Sequence, residues 1–349
     1  MSRFTIKRYI CPSILCTYNR YKTNTGKFKK QKRGCSMKVF ISGMGAVTSL
    51  GSNVESTYKG LKDNNCNIIK VSEWEDIDGL YSHVAAFAVD YNSKVIPRSI
   101  RRTCSKMSEM TIIAAMEALE QARLSKEDLK KYRVLICIGS TTGSPSTFDD
   151  IHQKFYKSNG SVRGQKSTSV FKCMSHTAAA NLAQYLEFKG GLISPSSACA
   201  SGNQAIVLGS ELIKAGLYDI VIAGGCDEVH FTICSSFDVA FAAAREFNHS
   251  PKEASRPFEK SRCGLVVSEG AGVLVLESEK TLRNRKLNPQ SEILGGSYYC
   301  SGEHMSQSSK DAIKSTTLDS IEKSNIDKEA IDFVNCHATS TVSGDLEEA

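Results

Sequence analysis

Thirteen cysteines and seven histidines are the residues of this chain best suited to nucleophilic and proton-transfer chemistry. One cysteine differs from the rest in its setting. Cys199 lies in Ser196-Ser197-Ala198-Cys199-Ala200-Ser201-Gly202, small residues that leave a sulfur approachable. The following stretch, Gln204–Ala215, carries Ala205, Ile206, Leu208, Leu212 and Ile213 at helical spacing and stops at Gly216. Cys199 is therefore expected at a strand-to-helix turn. There the first amides and the positive dipole end of a helix favour a thiolate and lower a cysteine pKa from its free value near ~8.5. The competing reading, a buried structural thiol, suits the other cysteines. Cys137 sits in an apolar strand, Cys226 follows Gly224-Gly225 and Cys336 adjoins a histidine, all without a small-residue turn and helix.

A nucleophilic thiolate works with a base or an orienting histidine that is distant in sequence. His337 is the candidate. It follows the apolar run Ile331–Val334 and precedes Ala338-Thr339-Ser340-Thr341, a polar turn at a strand end, where α/β proteins bind ligands. His83, His152, His230, His249 and His304 read as loop or surface residues, and His176, early in a helical stretch, as a core or interface residue.

The elements that must position these residues alternate along the chain. Lys38–Gly45, Val134–Ile138, Leu192–Ile193, Ile220–Ala223, Gly272–Leu276, Glu292–Leu294 and Ile331–Val334 read as strands. Met110–Arg123, Ser175–Phe188, Gln204–Ala215 and Lys310–Lys323 read as helices, which makes a layered α/β protein. Residues 1–36 differ in kind: ten Lys and Arg, no Asp or Glu, and neither helical nor strand periodicity. They are expected to be a disordered extension in isolation, either a mitochondrial transit peptide or sequence upstream of a start at Met37.

The formal charge of +7 resides in that extension. The remainder carries 34 basic against 37 acidic side chains, which removes the footprint of a nucleic-acid binder. No apolar run approaches the ~18 residues of a membrane helix. The cysteines form no Cys-x-x-Cys pair, so a reducing, cytoplasmic setting without a disulfide framework or metal centre is expected.

Taken in order, the motifs resemble the β-ketoacyl-[acyl-carrier-protein] synthases of elongating type, in the thiolase-like superfamily. The blocks are Val39–Thr48, the cysteine motif, Ala223-Gly224-Gly225, Ala254–Lys260 with Ser268–Gly272, and His337–Thr341 with Gly344-Asp345. The resemblance implies a thiolase-like layered α/β/α/β/α fold of two duplicated halves, divided here at 37–285 and 286–349. It implies acyl transfer to Cys199, then decarboxylative Claisen condensation with a malonyl thioester, in fatty-acid, polyketide or aryl-polyene elongation. His337 becomes one of two histidines that stabilise the enolate oxygen, Thr339 and Thr341 support it, and Glu348 matches a glutamate that pairs with a lysine. No cofactor or metal is implied. The implied partners are acyl carrier protein, docking on Arg98, Arg101 and Arg102, together with acyl and malonyl thioesters and a second copy of the chain.

Some features depart from the pattern. The second histidine and the lysine belong to a Lys-x-x-x-Gly-His block beyond Ala349. The second half and the catalytic set are therefore expected to be incomplete, and the 349-residue chain poorly stable and inactive in condensation. Within the covered region Ala338 stands where the family has glycine, tolerable if its φ is negative, and Cys263 with Leu265 replaces an Asp-Gly-Phe pattern. Three other readings are weaker. Gly43-Met44-Gly45 after a strand hints at a dinucleotide-binding oxidoreductase, but Thr48 stands where the third glycine belongs. A non-catalytic partner subunit would have lost Cys199, and the cysteine and His-Ala-Thr-Ser-Thr motifs favour a synthase over a thiolase.

Overall fold

The computed structural model describes residues 37–304 and 307–349, and the backbone of two strands within 8–18. The strands are β1 (Arg8–Cys11), β2 (Ile14–Tyr18), β3 (Val39–Val47), β4 (Ile69–Lys70), β5 (Val84–Ala86), β6 (Val134–Gly139), β7 (Gly191–Ile193), β8 (Ile220–Asp227), β9 (Val267–Ser268), β10 (Gly270–Ser278), β11 (Ser291–Gly296) and β12 (Phe333–Val334). The helices are α1 (Val54–Lys62), α2 (Arg98–Arg101), α3 (Lys106–Gln121), α4 (Lys126–Leu129), α5 (Pro145–Lys157), α6 (Ser169–Cys173), α7 (Thr177–Tyr185), α8 (Ser201–Lys214), α9 (Phe231–Val239), α10 (Glu279–Arg285), α11 (Lys310–Ser324) and α12 (Val342–Glu348).

One mixed sheet runs β12-β1-β2-β11-β3-β10-β8-β6-β7, and β4-β5-β9 form a small second sheet. Its central strands are apolar on both faces because both are covered. Successive residues of β6 and β8 alternate between two cores. Val134, Ile136, Ile138, Ile220 and Ile222 join α3 and α7 through Met110, Ala114, Ala118 and Leu182. Leu135, Cys137, Val221 and Ala223 join Ala205, Val207 and Ile213 of α8 on the other side.

The glycines of β3 serve this layering. A Cβ on Gly43 would lie 2.0 Å from the Ala118 carbonyl oxygen, and one on Gly45 1.8 Å from that of Ala114. Gly-x-Gly here lets α3 approach the strand, which accounts for the pair without a nucleotide.

One sequence expectation changes. Residues 1–36 were expected to lack strands, yet β1 and β2 form an antiparallel hairpin, β2 pairing antiparallel with β11 and β1 parallel with β12. These partners lie nearly three hundred residues away, so no local periodicity announces the pairing. The remainder of that extension, and nine of its ten cations, lie outside the described residues.

Candidate active site

The strand β7 delivers the chain to the cysteine turn. The Ser194 hydroxyl donates to the Ile138 carbonyl oxygen at 2.7 Å, tying the turn to the end of β6. Ser201 then closes it twice: its hydroxyl accepts from the Ser197 amide at 2.9 Å and donates to the Ala198 carbonyl oxygen at 2.6 Å. The turn is tight enough to place Ala198 at φ +48°, a left-handed conformation costly for a residue with a Cβ. Helix α8 starts two residues after Cys199 and rests on the ends of β6 and β8 through glycines. A Cβ on Gly139 would meet the Ser201 carbonyl oxygen at 2.6 Å, and one on Gly225 the Gly202 Cα at 2.9 Å. Small residues in this motif are thus required by backbone approach as well as by access to sulfur.

Cys199 is exposed, whereas Cys104, Cys137, Cys173, Cys226 and Cys234 are buried. Burial pushes the thiols of Cys104, Cys137 and Cys226 up to about 12. The Cys199 thiol also lies above its ordinary value. Protein packed about the sulfur displaces water and dominates; the Asp227 carboxylate adds to the rise, and only the residue's own backbone amide opposes it. The expected lowering by the helix start is therefore outweighed. Desolvation and a neighbouring anion both penalise the thiolate.

Asp227 owes its position to β6 and β8 running side by side. It accepts from the Ser140 hydroxyl at 3.0 Å, the Thr141 amide at 2.9 Å and the Thr141 hydroxyl at 2.8 Å. Its neighbour Glu228 is buried and accepts from the Met107 amide at 2.9 Å and from Ser144 and Ser146 at 2.9 and 2.7 Å. Sequence reasoning passed over both. Acids directly after the Ala223-Gly224-Gly225 strand end were the available signal.

The second turn follows β12. His337 is exposed, and the backbone around it is held by Glu348, whose carboxylate accepts from the His337 amide at 2.6 Å and the Ala338 amide at 2.7 Å. Thr339 and Thr341 hydroxyls lie 3.0 Å apart, and Thr341 also caps α12 by accepting from Gly344. Ala338 has φ +45°, so the condition under which alanine replaces glycine without strain is not met.

Ser340, between the threonines, is fully buried and fastens this turn to the first half. Its carbonyl oxygen accepts from Gly264 at 3.0 Å and its hydroxyl from the Arg256 amide at 3.0 Å. Asp345 completes the clasp. Its carboxylate accepts from Ser340 at 3.0 Å and Phe258 at 2.7 Å and pairs with Arg262 at 3.4 Å. Cys263, next to Gly264, packs with Phe247 and Val266 at the edge of a small apolar cluster. Both candidate residues thus sit on exposed turns, and among the described residues their side chains share no hydrogen bond.

Arg98 and Arg101 lie in α2 and Arg102 ends it. Arg101 donates to the Ser93 carbonyl oxygen at 3.2 Å, while Arg98 and Arg102 are exposed. Arg102 also lines a cavity of about 580 Å³ with Lys154, Lys166, Lys172 and Asp150, which brings cations from three helical segments to one place. Among the described residues no cluster of three metal-ligating side chains occurs and no helix is long and apolar enough to cross a membrane.

The mixed sheet that carries both turns has the fold of a solved β-ketoacyl synthase, a condensing acyltransferase. The chain belongs to the β-ketoacyl synthase family: residues 36–281 match its N-terminal domain and residues 290–349 its C-terminal domain. It is 29% identical to the mitochondrial 3-oxoacyl-[acyl-carrier-protein] synthase of Arabidopsis thaliana, the match covering 100% of this chain and 78% of that one. Identity with 3-oxoacyl-[acyl-carrier-protein] synthase 1 of Buchnera aphidicola subsp. Baizongia pistaciae is 31%, covering 89% and 76%. A solved β-ketoacyl synthase from Burkholderia phymatum STM815 superposes with a TM-score of 0.84 at 32% identity over 89% of this chain and 76% of that one.

Proposed function

We propose that the protein is a 3-oxoacyl-[acyl-carrier-protein] synthase whose acyl chain is carried on Cys199. The observation that carries this reading is the Ser197–Ser201 turn, which holds one exposed sulfur at the start of α8 in a chain of this family. The Cys199 sulfur attacks an acyl-carrier thioester and releases the carrier thiol. Malonyl thioester then loses carbon dioxide, and the enolate carbon attacks the Cys199 thioester carbonyl. That attack forms the new carbon–carbon bond, and collapse of the tetrahedral adduct breaks the bond from the acyl carbon to sulfur, releasing the 3-oxoacyl thioester and the Cys199 thiolate, which is reprotonated. His337 donates a hydrogen bond to the enolate oxygen, with Thr339, Thr341 and Glu348 shaping its turn; a donor of this kind contributes about 10²-fold to 10³-fold in rate. The test is formation of 3-oxoacyl product from acyl- and malonyl-carrier protein by a protein that also carries the second histidine and the lysine that the family resemblance implies. Cys199→Ala is expected to abolish it and His337→Ala to reduce it at least a hundredfold, and an undiminished rate in either variant contradicts the assignment.

The partner is an acyl carrier protein, in keeping with the names of the relatives. Its docking surface comprises Arg98, Arg101 and Arg102, extended by Lys154, Lys166 and Lys172 around the cavity they border. A homodimer is the assembly that fits the edge of the sheet. Strand β7 pairs on one side only and exposes Leu192 and Ile193 there, so a second copy could continue the sheet. The boundaries 37–285 and 286–349 mark the two halves. Location in cytoplasm or mitochondrion turns on residues 1–36, and relatives of both mitochondrial and bacterial origin match the chain.

A further inference from the structure

We infer that Glu228 is a positioning residue for the cationic cavity: it fixes α5 and the start of α3, and so sets how far apart their cations stand before a partner. That the partner is an acyl carrier protein rests on the docking reading above, whereas the positioning does not. Two observations carry the inference. The first is how α5 is held. None of its residues is buried, so apolar packing alone does not fix where it sits. Its first turn is tied instead to the residues that follow β8. Ser144, which caps the helix, and Ser146 donate their hydroxyls to Glu228 Oε2 at 2.9 and 2.7 Å, and Asp149 lies 3.6 Å from Nε2 of His230.

The second observation is that the same carboxylate holds another helix. Ser105, at the cap position of α3, makes no side-chain capping bond, and the Met107 amide in the first turn donates to Glu228 Oε1 at 2.9 Å. Two helix starts thus converge on one carboxylate that is only 3% exposed, where unpaired first-turn donors and the positive dipole ends favour an anion. Both helices lead to the cavity. Lys154 lies on α5, and Arg102 immediately precedes the short turn into α3, while Lys166 and Lys172 come from α6 and the loop before it. Lys154 pairs with Asp150, which leaves Arg102, Lys166 and Lys172 as the surplus positive charge. A displacement of α5 against α3 changes the separation of Lys154 from Arg102, so an anionic partner that meets both is sensitive to Glu228 without touching it.

The test is Glu228→Gln in the full chain, which keeps the side chain's shape and removes its charge. On charge alone, losing an anion beside a cationic cavity strengthens the binding of an anionic partner, whereas losing a positioning residue weakens it, so the sign separates the two. Hydrogen exchange of 145–157 is expected to quicken by about tenfold or more with 201–214 unchanged. Binding of acyl carrier protein, followed by fluorescence anisotropy, is expected to weaken by about fivefold or more. Unaltered exchange of 145–157 overturns the inference. Should Glu228→Gln lose its fold, accelerating 201–214 as well, Ser146→Ala decides the matter. Alanine is the better helix former and by itself slows exchange in α5, so faster exchange there supports the tie to Glu228, and slower or equal exchange refutes it. Lys154→Glu/Lys172→Glu tests the docking reading separately. If that variant binds the carrier undiminished, the carrier falls as the partner, while faster exchange of 145–157 in Glu228→Gln keeps the positioning role. If it binds weakly but Glu228→Gln binds as well as the parent or better, the positioning role falls and the docking surface stands.

Discussion

The sulfur of Cys199 is approachable but not acidified. Desolvation and Asp227 both favour its protonated form, so the proposed nucleophile is held toward the thiol. The sign follows directly: a raised pKa shrinks the thiolate fraction below that of an ordinary cysteine, which titrates near ~8.5. Alkylation of Cys199 by iodoacetamide is therefore expected to climb about tenfold per pH unit from pH 6 through 8 without reaching a plateau. A plateau below pH 7 would show a depressed pKa and contradict this electrostatic account. Asp227→Asn should raise the rate at pH 7 by removing one of the two opposing effects.

Ala338 makes a second prediction at the residue scale. Its left-handed φ costs a residue with a Cβ about 1–2 kcal/mol, while glycine pays about 0.5–1 kcal/mol in unfolded-chain entropy. Ala338→Gly is thus expected to stabilise the protein by about 0.5–1 kcal/mol, measured as a higher urea midpoint at unchanged slope. A lower midpoint would mean that the alanine contributes something beyond its backbone conformation. Asp345→Ala should do the opposite, costing about 3 kcal/mol, because it leaves the Ser340 and Phe258 amides and Arg262 without their acceptor.

At the scale of elements, much was legible and the omissions have physical causes. Val134–Ile138 and Ile220–Ala223 declared themselves because strands covered on both faces must be apolar throughout. Ser201–Lys214 declared itself because one stripe of it meets the sheet. Helix α5 was missed although Ser144 caps it, Pro145 opens it, and Phe148, Ile151 and Phe155 recur at helical spacing, a signal the sequence did offer. The hairpin β1–β2 was missed because its partners are remote. Cys199 and His337 could be singled out from neighbouring residue types. Asp227, Glu228, Ser340 and Asp345 could not be, since their importance lies in burial and in partners that only folding supplies. The edge strand β7 carries its own prediction. If the proposed dimer forms through this edge, Ile193→Lys is expected to lower the sedimenting mass to that of a monomer, and an unchanged mass would exclude this edge as the interface.

Within the nine-stranded sheet, β7 leads to the turn that bears Cys199 and β12 to the turn that bears His337. The cysteine turn is held by Ser194 and Ser201, while the histidine turn is clasped through Ser340 and Asp345 to Arg256, Phe258, Arg262 and Gly264. Acyl loading and condensation therefore place different demands on the fold. On the proposed reading, loading draws on the cysteine turn and the cationic surface, and it is the more direct test of the central claim. Incubating the protein with acyl-carrier protein and locating the acyl group by peptide mass is expected to place it on Cys199, with none transferred to Cys199→Ala. Acylation at another residue, or loading that survives Cys199→Ala, would contradict the account.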